Sequence, residues 1–410
     1  MTSLEPTAHA SPPQPAPPPA PSTGRLVGVD LARALAVFGM FAVHVGPFEA
    51  ARGDVAGWIR GLSEGRASAL FATLAGFSLV LIAGRFEPKT GLAGRQAKAR
   101  IVIRAVILLV VGTALTMTKF GDAVILNAYA VYFLLALPLT RLRARTLAVT
   151  AAVLALVGPQ VAFGLRTWLG ETLTSINAYD PLDRLCGVGV LDLLLTGFYP
   201  AITWMPFVIA GMALGRLDLA AAAVQRRLAV LGPALIVLGY GTSWLALKVL
   251  GIGIPERMSD GMSPKDGIAD LAAGSGPPPG EWGFQADPWL LLAAEPHSGS
   301  TFDILGCLGV AITVLLCATV AMARLPRLRR LAGPVVAVGA MSLTIYVGHI
   351  LAILALPGQS ATPPDANSTV LLCAFVLSAV LFAALWSRFF RRGPLEYLLN
   401  SATTLARLVR

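Results

Sequence analysis

Asp30, Arg33 and His44 lie within one apolar run, GRLVGVDLARALAVFGMFAVHVGPF, that is long enough to cross a membrane. Ionisable groups at such depth are costly unless they face a protein interior or a water-filled cavity, so each marks a candidate functional position. At about 100° per residue, the eleven steps from Arg33 to His44 return to within roughly 20° of the same helix face, and Asp30 lies beside that stripe. A rise of about 1.5 Å per residue sets Asp30 and His44 roughly 21 Å apart along the axis. One face therefore carries an acid and a guanidinium near one membrane surface and an imidazole near the other. A neutral imidazole suits general-base catalysis or transient acyl carriage at neutral pH. The Asp30/Arg33 pair fits either a buried ion pair or the entrance for a polyanion.

Other residues of the same chemical types fall at the same predicted level. His297 precedes the eighth apolar run and His349 lies near the end of the ninth, so three of the four histidines map to the surface that holds His44. Ser342, Tyr346 and His349 follow i, i+4, i+7 spacing, which gives the ninth helix its own polar face; helix–helix hydrogen bonding is the structural alternative. Arg66 opens the second run, placed either to reach lipid phosphate or to steady an oxyanion beside His44. In PHSGSTFD, Ser300 and Asp303 have the spacing of a capping box. Gly76 is expected to permit close helix packing. The four cysteines show no C-x-x-C spacing, so they read as small buried hydrophobes and no metal site is expected.

The elements that must position these groups follow from composition. Hydrophobic residues make up 56% of the 410-residue chain and charged residues 13%, with a mean hydropathy of +0.72. Those values exclude a soluble globular domain and indicate an all-α, polytopic integral membrane helix bundle. Spans are predicted near 26–48, 68–85, 102–118, 122–140, 146–165, 193–215, 228–250, 303–323, 332–354 and 369–388, about ten helices, with eleven as the alternative; the sixth could begin with a re-entrant piece around Asp192, and the fifth is rich in Gly and Pro. Residues 1–24 form a proline-rich tail, 25–398 the membrane domain with an outer loop over 251–302, and 399–410 a basic tail. With a cytoplasmic N-terminus, inner segments hold 22 of the 32 basic residues and outer segments nine. That asymmetry predicts both termini in the cytoplasm of a multi-pass plasma-membrane protein, and it assigns the net charge of +10 to topology and anionic lipid heads, with no nucleic acid as partner.

The segments GVDLARALAVFGMFAVHV, GRASALFATLAGFSL, ITWMPFVIAGMALGRLDL, PHSGSTFD, GAMSLTIYVGHIL and GPLEYLL together resemble the bacterial YeiB-like membrane proteins, which are similar to the heparan-α-glucosaminide N-acetyltransferase and acyltransferase-3 groups. The resemblance covers nearly all of the chain after residue 24. It implies a bundle that takes an acyl group, such as acetyl, from cytosolic acyl-CoA and delivers it to a hydroxyl or amine of a glycan, lipid or small-molecule acceptor across the membrane. Arg33 and His44 match the Arg and His of the acyltransferase-3 first helix. Phe71, Gly76 and Phe77 follow that group's FF-x-LSGF signature loosely, with ATLA at its centre. On this reading His44 and Arg66 are catalytic, and Asp30, Arg33, His297, His349 and Tyr346 contact substrates. The alternative from another class is a transporter or flippase with an Asp/Arg/His relay, against which stand the lack of internal repeats and of paired broken helices.

Overall fold

The computed structural model describes residues 26–47, 55–252, 288–356 and 368–409. The proline-rich tail and most of the expected outer loop lie outside the described residues. Those described are helical, with no strand among them: α1 (Val27–Val45), α2 (Val55–Ser63), α3 (Arg66–Ala83), α4 (Gly91–Leu115), α5 (Ile125–Ala136), α6 (Ala144–Asn177), α7 (Pro181–Cys186), α8 (Ala201–Gly215), α9 (Ala222–Ile236), α10 (Thr242–Val249), α11 (Thr301–Arg324), α12 (Pro326–Leu331), α13 (Gly333–Ala340), α14 (Ser342–Leu354), α15 (Ser368–Phe389) and α16 (Pro394–Ala402). A π-helical turn, Val237–Gly241, joins α9 to α10 into one apolar helix. Among the described residues, seven helices are long and apolar enough to cross a membrane alone, and α13 with α14 passes the same test as a pair. Helices α5 and α8 are apolar but shorter, at 12 and 15 residues. Each of the ten predicted spans overlaps one of these helices or a pair of them. The chain is a multi-pass membrane protein.

Two spans differ from a plain hydropathy reading. The fifth runs over 34 residues, Ala144–Asn177, about 51 Å at 1.5 Å per residue, so its final turns extend past a hydrocarbon core of about 30 Å. Nothing in its polar end, GETLTSIN, breaks a helix, and Trp168 there is largely exposed. The ninth is not one straight helix: α13 and α14 meet at Met341 with a bend of 84°. Gly339 lies so close to α1 that a Cβ there would sit on the Asp30 carbonyl, and the first amides of α14 bond to a carboxylate of α16 in place of carbonyls of α13. The helix breaks where two neighbours hold its halves separately.

Close backbone approach organises the interior. Helices α3 and α8 carry reciprocal glycines: a Cβ on Gly76 would meet the Val208 carbonyl, and one on Gly211 would meet the Thr73 carbonyl. With no hydrophobic drive between helices in lipid, small residues at such contacts supply the van der Waals packing. Helix α1 contacts α2, α3, α11, α13, α14 and α15, which explains why its apolar face is buried along its length. At the Arg33 end, the Arg216 guanidinium donates to the carbonyls of Gly84 (2.5 Å) and Thr140 (2.5 Å) and so ties two interhelical turns together. The chain from residue 399 continues α16 into a 3-10 turn, Thr403–Leu408, that packs on α4, where Gln96 donates to the Val409 carbonyl at 3.3 Å.

Candidate active site

His44 occupies the last turn of α1, where the helix runs out of carbonyl partners. The guanidinium of Arg60, on the buried face of α2, donates to the Val43 carbonyl. A cation at a helix C-terminus both satisfies an orphan carbonyl and complements the helix dipole, so Arg60 fixes the turn that presents His44. His44 Nδ1 lies 2.9 Å from His349 Nε2, and the two rings are nearly parallel at 9°. One imidazole donates and the other accepts. His349 is buried between Phe41, with ring centroids 4.9 Å apart, and Tyr346, at 5.2 Å. Its Nδ1 completes no hydrogen bond among the described residues. Tyr346 turns its hydroxyl to the first amide of α5, accepting from Ile125 N–H at 3.3 Å, and is walled by Phe71.

His297 stands in the loop before α11 with a φ of +63°, an uncommon conformation for a residue with a side chain. Its ring is boxed by Phe198, Tyr199 and Trp204, the closest being Phe198 at 4.4 Å between centroids. Its Nδ1 is buried without a partner among the described residues. Burial pushes the imidazole down to about 4, and the nearby His44 adds to that shift. The three membrane-domain histidines therefore share one end of the bundle, two in contact and the third within electrostatic reach.

Arg66 belongs to a different chain of contacts at that end. Its Nε donates to the Tyr240 hydroxyl at 2.9 Å, another of its nitrogens donates to the Gly61 carbonyl at 2.8 Å, and its guanidinium lies 4.7 Å from the centre of the Tyr240 ring. Tyr240 in turn meets Cys307 Sγ at 3.3 Å, and Cys307 donates to Asp303 at 3.2 Å. Ser300 accepts from the Asp303 amide at 3.1 Å as the expected cap, while the Asp303 carboxylate takes the Gly299 amide at 3.4 Å. The cation that reaches α1 beside His44 is Arg60, which sequence reasoning passed over. Its signal was a basic residue on the apolar side of a short amphipathic helix, visible only once residues 55–63 are read as helix.

The other end of the α1 stripe is basic. Arg33 pairs with Asp30 at 2.9 Å and donates to Ser78 on α3 at 2.7 Å. Arg33, Arg100 and Arg392 all lie close enough to Arg104 to repel its charge, and Arg104 Nε is buried without a partner among the described residues. Four guanidiniums with two carboxylate oxygens nearby make a site suited to a polyanion. No group of three metal-ligating side chains occurs among the described residues.

A helical membrane bundle with imidazoles at one end of its interior and guanidiniums at the other thus defines the class. Residues 25–242, more than half of the chain, match the family model "Heparan-alpha-glucosaminide N-acetyltransferase, catalytic", and residues 284–406 match "Protein of unknown function (DUF418)". The chain belongs to this YeiB-like, heparan-α-glucosaminide N-acetyltransferase-like family and is an acetyltransferase-like membrane protein. No curated protein matches it. His44, Arg60 and Arg33 fall in the first matched region and His349 in the second, so the histidine pair is built from both.

Proposed function

We propose that this protein transfers an acetyl or related acyl group from acyl-CoA, held at the Arg33 end, to an acceptor hydroxyl or amine at the His44 end. The observation that carries this reading is the His44–His349 contact of 2.9 Å, at the opposite end of α1 from the arginine group. In the reactive tautomer His349 carries its proton on Nδ1 and its Nε2 accepts from His44 Nδ1. His44 then presents its Nε2 lone pair as base, in the manner of an imidazole oriented by a second group. In the reaction, the acceptor oxygen or nitrogen attacks the thioester carbonyl carbon as His44 Nε2 takes its proton. The carbon–sulfur bond breaks, and the coenzyme A thiolate leaves and recovers a proton from the imidazolium. Arg33, Arg100, Arg104 and Arg392 bind the donor's phosphates, with its long pantetheine arm directed along α1. Arg60 keeps the terminal turn of α1, and with it His44, in place.

The lipid environment supplies the setting for an acceptor that is a glycan, lipid or small molecule. Membranes carrying the protein, incubated with radiolabelled acetyl-CoA, are expected to transfer label to an acceptor fraction. His44→Ala should lower kcat by about 10²–10⁴-fold, the usual worth of a general base. Arg33→Lys keeps the charge without the bidentate fork and should act mainly through the KM for acetyl-CoA. Equal kcat losses with unchanged KM in both variants would refute this division of roles.

A further inference from the structure

We propose that Glu396 is a positioning residue for the histidine pair: from α16 it clasps the first turn of α14 and thereby seats His349 against His44. The inference rests on the proposed role of that pair, and its test does not require turnover. Helix α14 starts immediately after the 84° bend, and its N-cap residue, Met341, offers no side-chain acceptor. The amides of its first turn would otherwise be orphaned. Glu396 Oε1 accepts from the amides of Leu343 at 2.8 Å and Thr344 at 3.1 Å, and Oε2 accepts from the Thr344 hydroxyl at 2.5 Å. Thr344 Oγ1 in turn accepts from the Leu395 amide at 3.0 Å, which closes the clasp in both directions. A carboxylate at a helix N-terminus also complements the helix dipole.

The clasp lies five residues, less than two turns, before His349. Since α13 turns away at Met341, it does not continue the backbone ladder into α14, and the direction of α14 is set by what holds its start. Within α14 the next polar tie is Tyr346 to Ile125. A rotation of α14 at Thr344 would therefore carry the His349 ring out of hydrogen-bond reach of His44. The chain just before α16 also carries Arg392, close enough to Arg104 to repel its charge.

The test uses the full-length protein in detergent or nanodiscs and the histidine-selective reagent diethyl pyrocarbonate, with labelling at each histidine read by mass spectrometry. Glu396→Ala is expected to raise labelling of His349 about tenfold, the scale of losing charge-assisted hydrogen bonds, with His297 unchanged. Glu396→Gln, which retains one acceptor oxygen for the two amides, should fall between wild type and Glu396→Ala and guards against a failure of the alanine variant to fold. In the acetyl-CoA assay the same variants should lose kcat while KM for the donor stays within about twofold. Unchanged His349 labelling in both variants overturns the proposal, as does a parallel rise at His297, which would report general loosening. Absence of acetyl transfer in the wild type, with Glu396-dependent labelling intact, would reject the proposed function and leave the positioning role standing.

Discussion

At the scale of single residues, the buried imidazoles are held by different means and should respond differently to acid. His44 and His349 share a hydrogen bond, whereas His297 sits in an aromatic box with its Nδ1 unpartnered among the described residues. Burial holds His297 down to about 4, against the ordinary 6.5 of a histidine in the unfolded chain. A folded state that binds a proton less readily than the unfolded one is penalised once protons become available. The stability tied to His297 is therefore fully present above pH 6.5 and drains as pH falls from there towards 4, with a slope of up to about 1.4 kcal/mol per pH unit. His297→Asn should flatten this acid limb in thermal melts, because asparagine tolerates the left-handed backbone and does not titrate. Parallel Tm-versus-pH curves for the two proteins would show that His297 is not the group responsible.

At the scale of elements, remote side chains finish helix ends: Arg60 the end of α1, Tyr346 the start of α5, and Glu396 the start of α14. Glycines set the separations between helices. Gly211→Ala should destabilise the bundle by about 1–3 kcal/mol, since α3 and α8 must part to admit a Cβ that would overlap the Thr73 carbonyl. Gly170→Ala, in an open stretch of α6, serves as the control and should be neutral or slightly stabilising. Equal Tm losses for the two would remove the packing argument. The sequence made the helices and the glycine contact at Gly76 legible because apolar run length and small-residue spacing are local signals. It left the break at Met341 unread, because that break is made by Asp30 and Glu396, which are 311 and 55 residues away in the chain. For the same reason helical spacing could align Arg33 with His44 but could not show that Arg66 turns to Tyr240 while Arg60 reaches α1.

At the scale of the whole molecule, the histidine pair lies at one end of the bundle and Arg33, Arg104 and Arg216 at the other, with interhelical loops among the described residues at each. The tie of Arg216 to Gly84 and Thr140 joins three of these loops at the Arg33 end. Phe120, at the far end of the α4 span, lies beside His44, with ring centroids 5.6 Å apart. From the excess of Lys and Arg in segments at the Arg33 end and the positive-inside rule, we propose that this end faces the cytoplasm, where acyl-CoA is available, and the His44 end the outside. Helix α6 offers a direct check because it joins the two ends in 34 residues, from Arg143 before its start to Tyr179 beyond its finish. Tyr179 is 78% exposed, so a cysteine there is open to reagents. In a background with the four native cysteines replaced, Tyr179→Cys should react with a membrane-impermeant maleimide added to intact cells. Arg143→Cys should react only after the membrane is permeabilised. Labelling with the opposite sidedness would put the histidines on the donor's side and require the acceptor to enter from the cytoplasm.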